Sequence, residues 1–107
     1  MAAYVIADFE ILDWEGMQAY AKRVGATIKQ YGGIYLVQGA STETLEGDWH
    51  PHRLVILEFE SGEQAKRWYH SEEYSAIKPI RHKTAHTQLI VIPGIEHNTQ
   101  EHRSSQP

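Results

Sequence analysis

Cysteine is absent from these 107 residues. No disulfide, thiolate nucleophile or cysteine-ligated zinc is therefore available. There is no apolar run approaching the roughly 20 residues of a membrane-spanning helix. The opening Met-Ala-Ala-Tyr-Val-Ile-Ala-Asp is too short, and too soon interrupted by an acid, to read as a signal peptide. No membrane partner is expected, and the cytoplasm is the default compartment. Positive charge is sparse: 10 Lys and Arg stand against 14 Asp and Glu, for a net charge of −4. The basic residues are scattered, so a nucleic-acid partner is not expected, because phosphate contacts need clustered cations. Nucleophile-elbow, Walker, dinucleotide and EF-hand signatures are missing too, and no cofactor is implied.

What remains is an ordinary globular composition, 41% hydrophobic and 22% charged, with length for one domain. A chain of this size buries roughly two thirds of its unfolded surface. Its core is modest, and pairing with a second copy would enlarge it.

Tyr4-Val-Ile-Ala-Asp-Phe-Glu10 is β-branched and aromatic and suits a strand. Asp13 reads as a helix N-cap. Trp14, Met17, Ala21, Val24, Ile28 and Tyr31 recur at steps of three and four, which predicts one apolar helix face with Trp14 in the core. Gly32-Gly33 ends that helix. Ile34–Gln38 is a second strand. Residues 39–51 are turn-rich, and Thr42–Glu46 within them alternates enough for a short hairpin arm. Arg53–Phe59 is a third strand. Ser61-Gly-Glu-Gln64 has capping-box spacing and opens a helix through Ala65, Trp68 and Tyr69. Ser71 caps a further helical piece towards Ala85, disturbed near Pro79. Thr87–Ile92 is the last strand. Residues 1–94 form the domain, and 95–107 read as a polar tail.

The order βαββαβ is the ferredoxin-like pattern: an antiparallel four-stranded sheet, α+β, with helices on one face. That topology places the ends of the first two strands and the starts of the last two together, at what we term the top. Asp8, Gln38, His52, Arg53 and His86 fall there, and the second helix is expected to deliver Trp68, Tyr69 and His70 to the same end. The 39–51 and 70–85 segments read as long top loops, where binding groups gather. Val5/Ala7/Phe9, Val55/Leu57/Phe59 and Leu89/Val91 should meet the helices. The opposite face carries Tyr4/Ile6/Asp8, Leu54/Ile56/Glu58 and Gln88/Ile90/Ile92. It is too apolar for a solvent face. A second protomer packed there would make a dimeric α+β barrel, with Asp8, Gln88, Gln38, His52 and His86 lining the upper part of a cavity between the sheets.

The stretches YGGIYLVQGA, LEGDWHPHRLVILEF and RWYHSEEYSAIKPIR together resemble the domain-of-unknown-function family 1330. The similarity spans nearly all of residues 3–94. It implies the dimeric α+β-barrel superfamily and a homodimer, and it implies no reaction. Trp49, Pro51 and Arg53 match the family's frame, as do Trp68, Tyr69, Ser71, Tyr74 and Arg81.

Each candidate residue has a functional and a structural reading. His50, His52 and His86, with Asp8, have the chemistry of a metal site, but no metal-site spacing is present, and the favoured reading of His50 and His52 is two exposed loop histidines; no metal is assigned. Asp8 and His52 are the candidate acid–base pair; the structural alternative ties Asp8 to Arg53, Arg81 or backbone at a dimer seam. Arg53 and Arg81 suit an anionic ligand, or else pair with Glu72, Glu73 or Asp48. Trp49, Trp68, Tyr69 and Tyr74 are ligand-stacking groups or core and interface anchors. Gln38 and His86 complete the ligand-binding set. The expected function is binding or transforming a small metabolite at the top of the sheet, against a non-catalytic dimeric ligand-binding or assembly module.

Overall fold

A computed structural model describes residues 1–95. The strands are β1 (Ala3–Ile11), β2 (Ile34–Ala40), β3 (Leu54–Phe59) and β4 (Ala85–Pro93); the helices are α1 (Trp14–Gln30), α2 (Gly62–Tyr69) and α3 (Glu72–Thr84). The sheet order is β2-β3-β1-β4, with every neighbouring pair antiparallel. All three helices pack on one face, giving the expected ferredoxin-like α+β architecture. The expected tail lies, beyond Ile95, outside the described residues. Among the described residues no helix is long and apolar enough to cross a membrane.

The caps are as the sequence predicts. Asp13 Oδ1 accepts from the Gly16 N–H at 2.9 Å, and Ser71 Oγ from the Tyr74 N–H at 3.0 Å. Ser61 Oγ accepts from the Gln64 N–H at 3.0 Å, but the box does not close. The Gln64 amide instead donates to the Tyr31 carbonyl at 2.9 Å and ties α2 to the end of α1. At that end Gly32 has φ +81°, a left-handed cap that glycine adopts at little cost. A Cβ on Gly33 would lie 2.6 Å from the Phe59 ring and 2.8 Å from Ile28 Cγ2. Gly33→Ala is therefore expected to cost about 1–3 kcal/mol by overpacking, read as a lower midpoint in urea.

The buried stripe of α1 is Met17, Tyr20, Val24, Thr27 and Ile28. This corrects the expected one. Trp14 is 57% exposed rather than core, and Ala21 is exposed as well. Spacing alone did not phase the stripe, because two polar-tipped residues, Tyr20 and Thr27, have hydrogen-bond partners inside. Thr27 Oγ1 accepts from Trp68 Nε1 at 3.0 Å and donates to the Val24 carbonyl at 2.7 Å.

The path after β3 also differs from the expectation. The Thr27–Trp68 and Tyr31–Gln64 bonds hold α2 at the bottom of α1. Glu73, in the first turn of α3, accepts from Gln30 at 3.0 Å and the Tyr31 hydroxyl at 2.8 Å, also at the bottom. Its own backbone N–H first, and then the Tyr31 hydroxyl, hold the Glu73 carboxyl below the usual carboxylate range. It is α3 that climbs, ending where the Thr84 carbonyl accepts from the Leu12 and Asp13 N–H groups at the top. Residues 72–84 are thus one helix with Pro79 inside it, not a top loop. Trp68, Tyr69 and Tyr74 start from the bottom half of the molecule. The predicted arm at Thr42–Glu46 forms no strand; the segment is loop and bend.

Trp68, Tyr74, Phe59 and Ile77 are the largest fully enclosed side chains. The Trp68 ring centroid lies 4.2 Å from that of Tyr74 and 5.5 Å from that of Phe59. This aromatic knot joins α2, α3 and the sheet.

Candidate functional site

The two faces of the sheet hold different chemistry. On the helix side a cavity of about 190 Å³ lies between the sheet and the helices. Its wall is mostly aliphatic and aromatic, from Val5, Ala7, Val24, Leu57 and their neighbours, with polar groups from Tyr20, Tyr35, Gln38, Arg53 and Tyr74. Two exposed lining residues, Ala21 on α1 and Gln38 on β2, mark where it meets solvent.

Gln38 reaches this side through an irregularity in β2. Tyr35 pairs with Leu57, but Val37 pairs with Ile56 and Gln38 with Val55, so Leu36 is an extra residue. One inserted residue exchanges the faces of everything after it. Gln38 therefore shares the helix side with Val55, not the Asp8 side where simple alternation put it. A second shift follows at Gly39, whose φ of +73° suits glycine. The Gly39 carbonyl accepts from Arg53 Nη1, and the guanidinium of Arg53 stacks 5.0 Å from the Trp14 ring. Arg53 thus pairs with a carbonyl and an indole, and makes no ion pair with Asp48 or Asp8. Its own backbone carbonyl is anchored by the Phe9 N–H at 2.9 Å.

Deeper in, the Tyr20 and Tyr74 hydroxyls lie 2.6 Å apart, and Arg81 Nε donates to the Tyr74 hydroxyl at 3.1 Å. Arg81 is only 4% exposed and forms no ion pair among the described residues. The expected pairing with Glu72 or Glu73 does not occur, because those acids stand at the far end of α3. Burial, then the neighbouring Tyr74 hydroxyl, pushes Tyr20 well above the ordinary tyrosine range, so it is a protonated donor at neutral pH. Burial, then Tyr74, also raises Tyr35. Tyr20 and Tyr35 are not among the residues the sequence singles out; Tyr20 sits three positions after Met17 and four before Val24, at the edge of the predicted stripe, which took Ala21 instead.

The opposite face gathers Asp8, Glu10, His52 and His86. Asp8 Oδ1 accepts from the His52 N–H at 2.8 Å, so the carboxylate is tied to backbone. His52 Nδ1 lies 3.8 Å from Asp8 Oδ1 and its Nε2 4.0 Å from Glu10. His86 Nδ1 lies 3.7 Å from Glu10. The sequence brings Asp8, His52 and His86 to one end as expected, but none of them lines the cavity. Among the described residues no group of three or more such side chains is arranged to hold a metal ion. Trp49 is 65% exposed on its loop; its carbonyl accepts from Thr44 at 2.7 Å. Tyr69 packs edge-on to Trp68 and carries Lys78 Nζ 3.7 Å from its ring centroid, away from the cavity. The expected ligand set therefore divides: Gln38, Arg53, Trp68 and Tyr74 line the cavity, Arg81 backs it, and Trp49, Tyr69 and His86 lie elsewhere.

Solved structures share this architecture. A protein of unknown function from Rhodopseudomonas palustris aligns at 18% identity and a TM-score of 0.71, over 90% of this chain and 84% of its own. SnoaB, a cofactor-independent oxygenase from Streptomyces nogalater, aligns at 10% identity and 0.63, over 94% and 98%. A dimeric protein of unknown function and ferredoxin-like fold from Bacteroides fragilis aligns at 12% and 0.58, over 87% and 96%. Identities this low establish fold alone. No curated protein matches the sequence. The family model for the domain of unknown function DUF1330 matches residues 2–95, nearly the whole described chain, and the protein belongs to that family.

Proposed function

We propose that this protein is a homodimer that binds a small aromatic or acidic metabolite in the cavity beneath its helices. The observation that carries this reading is the cavity's composition: an apolar wall with Gln38 and Arg53 towards the opening and tyrosine hydroxyls within. Ligand sites typically combine an apolar lining with a few convergent polar groups. For scale, an apolar cavity of about 150 Å³ is large enough for benzene, so one substituted ring is a reasonable occupant here. The dimer reading rests on the open sheet face, where Ile34, Leu36, Ile90 and Ile92 are all 45% exposed or more. The Bacteroides neighbour, described as dimeric, agrees with it.

The test is a thermal-shift screen of aromatic acids against the full chain. A ligand at about a hundred times its dissociation constant stabilises the fold by about 2.7 kcal/mol. Arg53→Ala is expected to weaken a carboxylate hit by roughly 10–100-fold, the worth of a hydrogen bond to a charged group. Absence of any hit, or hits indifferent to Arg53, would count against the cavity as a ligand site.

Transformation of the ligand is the further step, and the shared fold with the oxygenase SnoaB makes it worth assaying. Asp8 and His52, the acid–base candidates of the sequence, stand on the open face. In a face-to-face dimer they would lie at the seam, and their contacts there suit assembly better than chemistry in the cavity. A hit that binds without turnover favours the non-catalytic module.

A further inference from the structure

The hydrogen-bond arithmetic of the buried Tyr20–Tyr74–Arg81 chain leaves one proton over. The Tyr74 oxygen accepts from Arg81 Nε–H, and Tyr74 is completely enclosed. Its own O–H has one other partner among the described residues, the Tyr20 oxygen at 2.6 Å. Both hydroxyls border the cavity and either could donate to the other, but Tyr74 is 0% exposed against 6% for Tyr20; a buried donor left unpaired is costly, and the arrangement that pairs the more enclosed O–H has Tyr74 donating to Tyr20. A hydroxyl has a single proton to give, and that of Tyr20 then has no acceptor among the described residues. Tyr20 lines the cavity. The chain therefore runs in one direction, Arg81 to Tyr74 to Tyr20, and ends in an unspent O–H at the cavity wall.

Its electrostatics have the same direction. Arg81 is a buried cation with no carboxylate paired to it among the described residues, and hydrogen bonds in series polarise one another in a low-dielectric interior. The Arg81 cation and the two hydroxyls lie in series towards the cavity, and donors held in place act most on an oxygen bearing negative charge.

We infer that Tyr20, with Tyr74 and Arg81 behind it as positioning residues, is a binding group for an anionic oxygen, so that the cavity takes a phenolate, enolate or carboxylate in preference to its neutral acid. This deepens the ligand reading above and rests on it.

The probe pair 4-nitrophenol and 4-nitroanisole separates the two claims. They share a ring that fits the apolar wall, and only the first ionises, with its anion visible by absorbance. Binding of both to the full chain, with the anion-to-neutral ratio of bound 4-nitrophenol raised about tenfold or more over free probe at the same pH, supports the inference. Tyr20→Phe should keep 4-nitroanisole binding, which certifies an intact cavity, and lose the rise. Tyr74→Phe, which cuts Arg81 off from Tyr20, should lose most of it. Binding of both probes with no rise, or an unchanged rise in Tyr20→Phe and Tyr74→Phe, overturns the Tyr20 site and leaves the cavity reading standing. Failure of the wild type to bind either probe overturns both.

Discussion

Trp68→Ala is expected to destabilise the protein by about 3–5 kcal/mol, a large part of the 5–15 kcal/mol that holds a small domain folded. Trp68 is 2% exposed. Its ring packs against Phe59 of β3, Tyr69 of α2 and Tyr74 of α3, and its Nε1–H satisfies Thr27 on α1. Truncation leaves a cavity bounded by four elements that cannot all move inwards together, and it removes the donor to a buried hydroxyl. Denaturant unfolding followed by circular dichroism measures the loss. Trp49→Ala is the comparison. Trp49 is 65% exposed, and its replacement should change stability by no more than about 0.5 kcal/mol. A Trp68 variant as stable as the Trp49 one would contradict the packing described.

Ile56→Lys is expected to convert a dimer into monomers while leaving the single-chain fold intact. Across the open face, Val37, Ile56, Ile6 and Ile90 form one unbroken aliphatic row from β2 to β4. The flanking rows mix apolar side chains with Glu58 on one side and with Asp8 and Gln88 on the other. Ile56 sits inside the aliphatic row and is only half-buried in the chain itself, so a lysine there can hold its ammonium in water while the protein is monomeric. In a face-to-face dimer that charge would be enclosed without a partner, at a cost of about several kcal/mol. Each 1.4 kcal/mol is about tenfold in affinity, so dissociation should rise by about a hundredfold or more. Size-exclusion chromatography across a concentration series reads this directly. A wild type that elutes as a monomer throughout, or a lysine variant that stays dimeric, would remove the open face as the assembly surface.

Much of this was legible in the sequence because it is locally encoded. Asp13 and Ser71 cap helices through bonds to residues three positions away. Gly32 turns the chain by its own conformational freedom. The βαββαβ order follows from alternating stretches of period two and period 3.6, and Val5, Ala7 and Leu57 are buried as their alternation requires. Arg53 shares the parity of Val55 and Leu57, and it points to the helix side for the same reason.

Other features depended on partners distant in the chain. Trp14 satisfies the helical period as well as Met17 does, yet it stands outside the core with Arg53 stacked on it. Tyr20 is passed over for Ala21 in the stripe read from spacing, and only Tyr74, 54 residues on, shows its hydroxyl a partner inside. Gln38 changes face because β2 carries one residue more than β3 across Leu36, a mismatch visible only when the two strands are aligned. The sequence by itself determined the elements, their order and the family, because caps, turns and periodicity are written within a few residues of one another. Which side chains meet beneath the helices, and hence where the cavity lies, was decided only by the tertiary structure, because a buried polar group takes its place from whichever distant residue can satisfy its hydrogen bonds.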